Sequence, residues 1–199
     1  GDKTGFSVAG AGDINKDGYA DFIVGALDAD LHGTDSGAAY VVFGHGGSFN
    51  SSLNLSGLNG TNGFQIGGVA VSDLFGGSVQ SAGDINGAGY ADIVIGADAR
   101  DANGANSGAA YVVFGHAGGF SSSIDLQNLN GSNGFQLTGA KAYDHAGGSV
   151  SSAGDFNGDG IDDLMVGSIL VDRPGTYTVA AYVIFGETAP LTASVSLTT

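Results

Sequence analysis

Short apolar runs, separated by glycine-rich polar segments, recur along the whole chain. In the middle of the chain they cover residues 76–84, 90–97 and 108–115, and a weaker run follows at 134–139. These runs have the length of β-strands, and nearly continuous apolar stretches are typical of strands covered on both faces. Glycine and aspartate, both abundant here, are poor helix formers. The pattern therefore predicts an all-β fold with four short strands in each unit.

The pattern repeats with a period of 71 residues. Equivalent positions carry the same residue in every copy: Asp13, Asp84 and Asp155; Tyr40, Tyr111 and Tyr182; Phe43, Phe114 and Phe185. We treat residues 1–199 as one segment with repeats at 1–71, 72–142 and 143–199, of which the third is incomplete. Four antiparallel strands per repeat is the layout of a β-propeller blade. The alternating tail, 191–197, either supplies the outer strand that the third repeat lacks or begins a following segment.

A polar loop lies between the first and second predicted strands of each repeat. In the first and third repeats, side-chain oxygens stand at loop positions 1, 3, 5 and 9, and glycine stands at position 6. Calcium takes about six to eight oxygen ligands. The alternation directs the four side-chain oxygens of the loop at one centre, and the backbone carbonyl at position 7 would be a further ligand. The predicted ligands are Asp13, Asn15, Asp17, Tyr19 and Asp21 in the first loop, and Asp155, Asn157, Asp159, Ile161 and Asp163 in the third. The alternative is a set of ordinary Asp and Asn turn residues.

The second loop departs from this pattern. Its matching positions are Asp84, Asn86, Tyr90 and Asp92, but Ala88 stands at position 5. One carboxylate is therefore missing, and the formal charge of the ligand set falls from three to two. We predict two strong calcium sites and a weaker one, in which water fills the gap or which stays empty.

The residues around these loops resemble a known family. Gly-x-Ser-Val precedes each loop, starting at Gly5, Gly76 and Gly147, and Asp-x-x-Val/Ile-Gly-Ala follows at 21–26 and 92–97. This arrangement is similar to the FG-GAP repeat of integrin α-subunit β-propellers and of many large secreted bacterial proteins. The resemblance implies propeller blades with calcium loops on one rim, each loop pinning a hairpin between the innermost strands. Propellers of that family usually have seven blades, so three repeats imply either a partial propeller or a ring completed by association, such as two chains with six blades.

Composition excludes several classes of function. Five Lys and Arg stand against 20 acidic residues, a net charge of −15, which disfavours nucleic acid because phosphate binding needs clustered cations. Membrane insertion is not predicted, since no apolar run reaches the roughly eighteen residues of a span. The chain has no cysteine, which removes thiol catalysis and Cys-based zinc sites. Nucleophile-elbow and phosphate-loop motifs are absent from the sequence, so we predict that the chain is not an enzyme.

Two functions fit the remaining picture. The first is a calcium-binding extracellular module for adhesion or for binding a protein or glycan, with the calcium loops stabilising the blades. The second is a structural or assembly module of a large surface protein or fibre, without a ligand of its own. In either case the expected partners include further propeller blades or a second copy of the chain. The expected location is extracellular or at the cell surface, where calcium is millimolar and low-affinity loops are filled.

Overall fold

The fold was analysed in a computed structural model, which describes residues 1–173, 176–188 and 190–198. The described chain is all-β, as predicted, with two single-turn 3₁₀ helices at Leu55–Gly57 and Leu126–Asn128. Its strands are β1 (Thr4–Gly12), β2 (Asp21–Ala26), β3 (Ala38–Val42), β4 (Gly63–Gly67), β5 (Ser78–Gly83), β6 (Asp92–Ala97), β7 (Ala109–Val113), β8 (Ser123–Ile124), β9 (Gly134–Gly139), β10 (Ala146–Gly154), β11 (Asp163–Arg173), β12 (Thr176–Ile184) and β13 (Ser194–Leu197). Nowhere in these ranges is there a helix long and apolar enough to cross a membrane.

The strands form three sheets of mostly antiparallel strands. The first sheet has the order β1-β2-β3-β4-β8, the second β5-β6-β7-β9-β13, and the third β10-β11-β12. The prediction of four-stranded antiparallel sheets is therefore corrected at two points. The first two sheets each carry a fifth, parallel strand, and the third sheet has three strands within the described residues.

The two parallel strands, β8 and β13, come from the repeat that follows the sheet they complete. We call them the straps. Ile124 of β8 lies opposite Ile66 of β4, and Val195 of β13 lies opposite Leu137 of β9. The tail therefore does not supply an outer strand to the third sheet, because Leu197 packs into the apolar cluster of the second sheet instead.

Three of the observed strands are shorter than the apolar runs that predicted them, and the run at 90–97 gives β6 only from Asp92. The run at 76–84 gives β5 only from Ser78, and the run at 108–115 gives β7 from Ala109 to Val113. Gly76 and Gly108 have φ angles of +87° and +77°, which turn the chain before the strand begins. The weaker run at 134–139 matches β9 at both ends.

The core lies between neighbouring sheets. One apolar cluster joins the first sheet to the second and includes Ile23 and Phe64 against Ile95, and another joins the second sheet to the third and includes Val94 against Leu164. All six residues of β6 are buried, as predicted for a strand covered on both faces. The first strands of the sheets contact one another in succession, β1 with β5 and β5 with β10.

Serine hydroxyls fasten each sheet to the next. Ser7 donates to the carbonyl of Gly76 at 2.8 Å, and Ser78 donates to the carbonyl of Gly147 at 2.8 Å. Both bonds span 69 residues, so they recur at each contact between neighbouring sheets. We call this contact the seam.

Glycine is required at the seam for close approach. A Cβ on Gly25 would lie 2.0 Å from the carbonyl oxygen of Gly76, and one on Gly96 would lie 1.9 Å from that of Gly147. Real Cβ contacts are never so short, so a side chain at either position would force the sheets apart. The Gly-Ala pairs at the ends of β2 and β6 are thus a packing requirement between sheets.

Candidate metal sites

The three predicted loops connect β1 to β2, β5 to β6 and β10 to β11. They lie side by side: the Ala91 N–H donates to the Asp13 carbonyl at 3.3 Å, and the Asp162 N–H to the Asp84 carbonyl at 3.3 Å. The Asp162 side chain also accepts the Asp84 N–H at 2.8 Å. The loops therefore form one continuous edge of the molecule.

In the first loop, the predicted ligand side chains fold inward onto the backbone. Asp13 accepts the N–H of Asp17 through Oδ1 at 3.0 Å and that of Gly18 through Oδ2 at 2.9 Å. Asp17 Oδ1 accepts the Tyr19 N–H at 3.0 Å, and Asn15 Nδ2 donates to Asp17 Oδ2 at 3.0 Å. Gly18 has a φ of +92°, which is why position 6 favours glycine.

The third loop reproduces this geometry. Asp155 accepts the N–H groups of Asp159 and Gly160, both at 2.9 Å. Asp159 Oδ1 accepts the Ile161 N–H at 2.9 Å, and Asn157 Nδ2 donates to Asp159 Oδ2 at 2.8 Å. Two loops far apart in the sequence thus place the same oxygen-bearing side chains in the same arrangement.

The second loop keeps the frame but lacks one side chain. Asp84 accepts the N–H of Ala88 at 2.9 Å and that of Gly89 at 2.7 Å, and Asn86 Oδ1 accepts the Ala88 N–H at 2.8 Å. Position 5 holds its place through its backbone, so the carboxylate is not needed for the turn itself. The acidic residues at this position in the other two loops add bonds to Tyr19 and Ile161, but the turn forms without them, which leaves room for a second role such as holding a cation.

A lysine from the first loop lies over the second loop. Lys16 Nζ is 5.1 Å from the centre of the Tyr90 ring, a cation–π distance. The second loop already lacks one carboxylate because of Ala88. The positive charge of Lys16 would therefore repel a calcium ion in that loop.

The position-9 aspartates are buried beneath the loops as the first residues of β2, β6 and β11, and their exposed fractions are 3% or less. One oxygen of each carboxylate accepts the N–H of loop position 2, and the other accepts the N–H of a glycine at the end of the next strand, at 2.8 to 3.0 Å. The triplets are Asp21 with Ile14 and Gly44, Asp92 with Ile85 and Gly115, and Asp163 with Phe156 and Gly186. Sequence reasoning missed these three glycines, although each follows the Phe of an apolar run at the 71-residue step.

Burial makes two of these carboxylates costly to ionise. It raises the pKa of Asp21, to which the charges of Asp17 and Asp13 add, while the N–H bonds from Gly44 and Ile14 act against the shift. Burial also raises the pKa of Asp92 to about 7, despite the N–H bonds from Gly115 and Ile85. A positive charge in the loop would offset this cost.

The donor chemistry of the first and third loops fits calcium, since it consists of hard oxygens from carboxylates, an amide and a carbonyl. A carboxylate oxygen that accepts one N–H keeps a second lone pair for a cation. Among the described residues, however, no three acidic or histidine side chains are drawn together as a ready-made ion site. The ligand assignment therefore stays a prediction, in which a bound ion replaces the Asn15–Asp17 and Asn157–Asp159 side-chain bonds.

The histidines next to the loops take part in packing. The His45 ring stacks on Phe49 with ring centres 4.2 Å apart, and the equivalent His116 ring lies 4.0 Å from Phe120. Phe120 in turn reaches across the seam to stack on Phe64 of the first sheet at 4.7 Å. This use of His45 and His116 agrees with turn residues rather than metal ligands.

Comparison with known families identifies the repeats. The FG-GAP repeat model matches residues 4–42 and 146–184, which run from β1 through β3 and from β10 through β12. The two matches begin 142 residues apart, two periods of 71, and each contains one of the loops with a complete ligand set. The chain therefore carries FG-GAP repeats.

The same repeats relate the chain to integrin α subunits. It is 33% identical over 172 residues to mouse integrin alpha-E, covering 81% of this chain and 14% of that protein. It is 35% identical over 108 residues to human integrin alpha-6, covering 54% of this chain and 8% of that protein, and 30% identical over 158 residues to the chicken alpha-6, covering 79% and 13%. The chain is thus homologous to integrin α subunits and spans about a seventh or less of their length.

Proposed function

We propose that the chain is a calcium-stabilised segment of a β-propeller that acts outside the cell as an adhesion or binding module for a protein or glycan. The observation that carries the proposal is the recurrence, in the first and third repeats, of one hydrogen-bonded loop with the same oxygen side chains. Similarity to integrin α subunits supports an extracellular propeller. Loops of this kind match the millimolar calcium outside cells.

Calcium would be held by Asp13, Asn15, Asp17, Asp21 and the Tyr19 carbonyl, and by the five equivalent residues of the third loop. It would supply the positive charge that the buried carboxylates lack. The position-9 aspartates already tie each loop to the strand and to the next hairpin. An ion on the same carboxylate would therefore stabilise the edge where the loops lie side by side, and the second loop would bind it more weakly.

Thermal melting in calcium and in a chelator tests this proposal. Each site that is filled to a hundred times its Kd adds about 2.7 kcal/mol, so two sites add about 5 kcal/mol. In a domain of this size, this corresponds to a shift of roughly 10 to 20 °C. A melting midpoint that does not change on chelation would refute the calcium assignment.

The second loop provides the matched variant for this experiment. Since Ala88 is tolerated there with the backbone bonds intact, the double variant Asp17→Ala, Asp159→Ala should keep both loops folded. Its melting midpoint should rise with calcium much less than that of the wild type, because all three loops then have the weaker ligand set of the second loop. Changing Asp30 and Asp101 to Ala, in loops outside the candidate sites, should leave the calcium shift unchanged.

Ligand binding is expected at loops away from the calcium edge. The polar loops 28–35 and 98–103 follow β2 and β6, so in an antiparallel sheet they lie at the opposite end from the candidate calcium loops. They differ between repeats, which suits a surface that contacts a specific partner. Binding of the purified chain to protein and glycan arrays in calcium, and its loss in chelator, would support the adhesion module.

The alternative function, an assembly module, is favoured by one observation. Large apolar side chains are exposed on the two outermost sheets, among them Val8 and Phe22 on the first and Met165 and Phe185 on the third. Calcium-dependent polymerisation without binding on either array would support assembly as the primary role.

A further inference from the structure

The connections that follow β3 and β7 carry acceptor sequences for asparagine-linked glycans. The acceptor sequence is Asn-x-Ser/Thr, where x is not proline. It begins at Asn50, Asn54 and Asn59 between β3 and β4, and at Asn130 between β7 and β9. No other asparagine of the chain begins this sequence. All copies of the acceptor sequence therefore lie outside the candidate calcium loops.

Two of these asparagines occupy equivalent positions, one 71-residue period apart. They are Asn59 and Asn130, and the third residue of the acceptor sequence is Thr61 in the first repeat and Ser132 in the second. The residue type changes between the repeats, but the hydroxyl that the acceptor sequence requires is kept. This recurrence distinguishes the pair from a chance match.

The other two acceptor asparagines do not recur. Asn54 caps the first 3₁₀ helix by accepting the Ser56 N–H at 3.1 Å, and its equivalent, Asp125, caps the second 3₁₀ helix in the same way. The cap therefore accounts for an asparagine at position 54. The equivalent of Asn50 is Ser121, which has no amide to modify.

In both recurring copies, the side-chain oxygen is held and the side-chain nitrogen is left free. Asn59 Oδ1 accepts the Thr61 N–H at 3.0 Å and the Thr61 hydroxyl at 2.7 Å. Asn130 Oδ1 accepts the Ser132 N–H at 2.9 Å and the Ser132 hydroxyl at 2.6 Å. Both asparagines are exposed, and within the described chain neither Nδ2 donates a hydrogen bond. The atom to which a glycan is attached is thus accessible in both repeats.

The asparagines three positions further on show that this freedom is specific. Asn62 Nδ2 donates to the Gly57 carbonyl at 3.3 Å, and Asn133 Nδ2 donates to the Asn128 carbonyl at 3.1 Å. Their side-chain oxygens accept the N–H groups of the two acceptor asparagines at 2.9 and 3.0 Å. These companions therefore fix each turn with both ends of the amide, whereas the acceptor asparagines use only the oxygen end.

The two turns lie beside the chain that leads into each strap. A Cβ on Gly60 would collide with the carbonyl oxygen of Phe120, three residues before β8, and one on Gly131 with that of Leu191, three residues before β13. β8 and β13 are the outermost strands of their sheets, and an edge strand has unpaired backbone groups that other chains can join. A bulky, hydrophilic group on either turn would shield that edge.

We propose that Asn59 and Asn130 are attachment sites for asparagine-linked glycans, which shield the edges formed by the straps. The proposal rests on the export of the chain that the proposed function requires. In the transfer, Nδ2 loses a proton and forms a bond to C1 of the first sugar. The bond from C1 to the pyrophosphate of a lipid-linked oligosaccharide breaks, and the lipid pyrophosphate leaves. The two hydrogen bonds donated to Oδ1 stabilise the negative charge that the amide gains as the proton departs.

The test secretes the full chain, behind a cleavable signal peptide, from cultured mammalian cells, which supply the lipid-linked donor and the transferase. Mass spectrometry of intact glycopeptides locates each glycan, which should be found on Asn59 and Asn130. Thr61→Ala and Ser132→Ala should each abolish the glycan at their own site only, whereas Thr61→Ser and Ser132→Thr should retain it. A secreted wild-type chain that lacks a glycan at either site would overturn the inference. A melting midpoint insensitive to chelator would refute the calcium proposal and leave these glycopeptides unchanged, so the two failures are distinguishable.

The double variant Thr61→Ala, Ser132→Ala tests the shielding. Both substitutions keep the backbone N–H bonds to the asparagine side chains, so the variant should fold. On heating below the melting midpoint, light scattering should show it aggregating at least about twofold faster than the glycosylated wild type, because its strand edges are open. The same pair of chains, made without glycans in cells that lack the transferase, measures the effect of the lost hydroxyls alone. A difference between the secreted chains no larger than in this control pair would overturn the shielding role.

Discussion

Comparing Phe120 with Phe49 tests how much the contact between neighbouring sheets contributes to stability. They occupy the same position in consecutive repeats, and each packs on a histidine two positions after the Phe that ends an apolar run. Only Phe120 reaches a preceding sheet, where it lies 5.5 Å from Phe43 and 4.7 Å from Phe64 between ring centres. The same change at both positions should therefore have very different effects.

Phe120→Ala removes a side chain that is 8% exposed. Replacing a buried Phe by Ala costs about 3 to 5 kcal/mol, which includes the loss of two ring contacts worth about 0.5 to 1.5 kcal/mol each. Since Phe120 retains some exposure, we expect about 3 kcal/mol, or a fall in the melting midpoint of about 6 to 12 °C. Phe49→Ala, at a side chain that is 66% exposed, should change the free energy of unfolding by less than about 0.5 kcal/mol.

The measurement is urea unfolding followed by circular dichroism, with thermal melts as a second readout. Equal losses from the two substitutions would refute the reasoning, because the local loop rather than the contact across the seam would then determine stability. A loss below about 1 kcal/mol for Phe120→Ala would do the same.

Three further predictions concern the loop, the seam and a buried acid. Ala88→Asp should restore the missing carboxylate of the second loop and tighten its calcium binding about tenfold. Calorimetry should then show a third strong site. Ala88→Ser is the control, and equal calcium affinity of Ala88→Asp and the wild-type loop would contradict the ligand assignment. Gly96→Ala places a Cβ 1.9 Å from the Gly147 carbonyl oxygen and should lower the free energy of unfolding by at least about 1 to 3 kcal/mol. Gly10→Ala, whose Cβ would have nothing within 4 Å, should leave the free energy of unfolding unchanged. Equal melting midpoints of the two variants would show that the seam is not tightly packed. Burial raises the pKa of Asp73 above its usual 3.8, although the Ala70 N–H bond and Arg100 oppose the shift. The folded state therefore binds the proton more tightly than the unfolded chain. The free energy of unfolding should fall as the pH rises from 3.8 through the raised pKa. Asp73→Asn keeps an acceptor for Ala70 and should lack this part of the pH dependence in urea titrations; identical pH profiles would argue against a raised pKa.

The sequence was informative wherever the signal was local. Apolar runs located β6, β7 and the weaker β9, and the 71-residue period placed β2 and β3 at the equivalent positions of the first repeat. The loop pattern placed Asp21 at position 9, next to the second strand, because alternation of oxygen side chains and a turn glycine is also local, but only the structure shows that it is the first residue of β2. These features needed no knowledge of which sheets become neighbours.

What the sequence did not show depends on contacts between sheets. β8 is only two residues long, Ser123–Ile124, too short for a pattern, and its partner β4 lies in the preceding repeat. The tail was ambiguous for the same reason, since an alternating run does not reveal which strand it joins. Nor does the sequence separate Phe49 from Phe120, because they differ only in whether a sheet of the described chain packs against them.

The straps also govern when each sheet can be finished as the chain leaves the ribosome. The edge of β4 at Ile66 is covered only after Ile124 has been made, and the edge of β9 at Leu137 only after Val195. Until then, each nascent sheet has an open strand edge that other chains can join. A chain ended at residue 142, at the close of the second repeat, would leave the β9 edge permanently open. Truncated forms should therefore end beyond Leu197 rather than at the border between repeats.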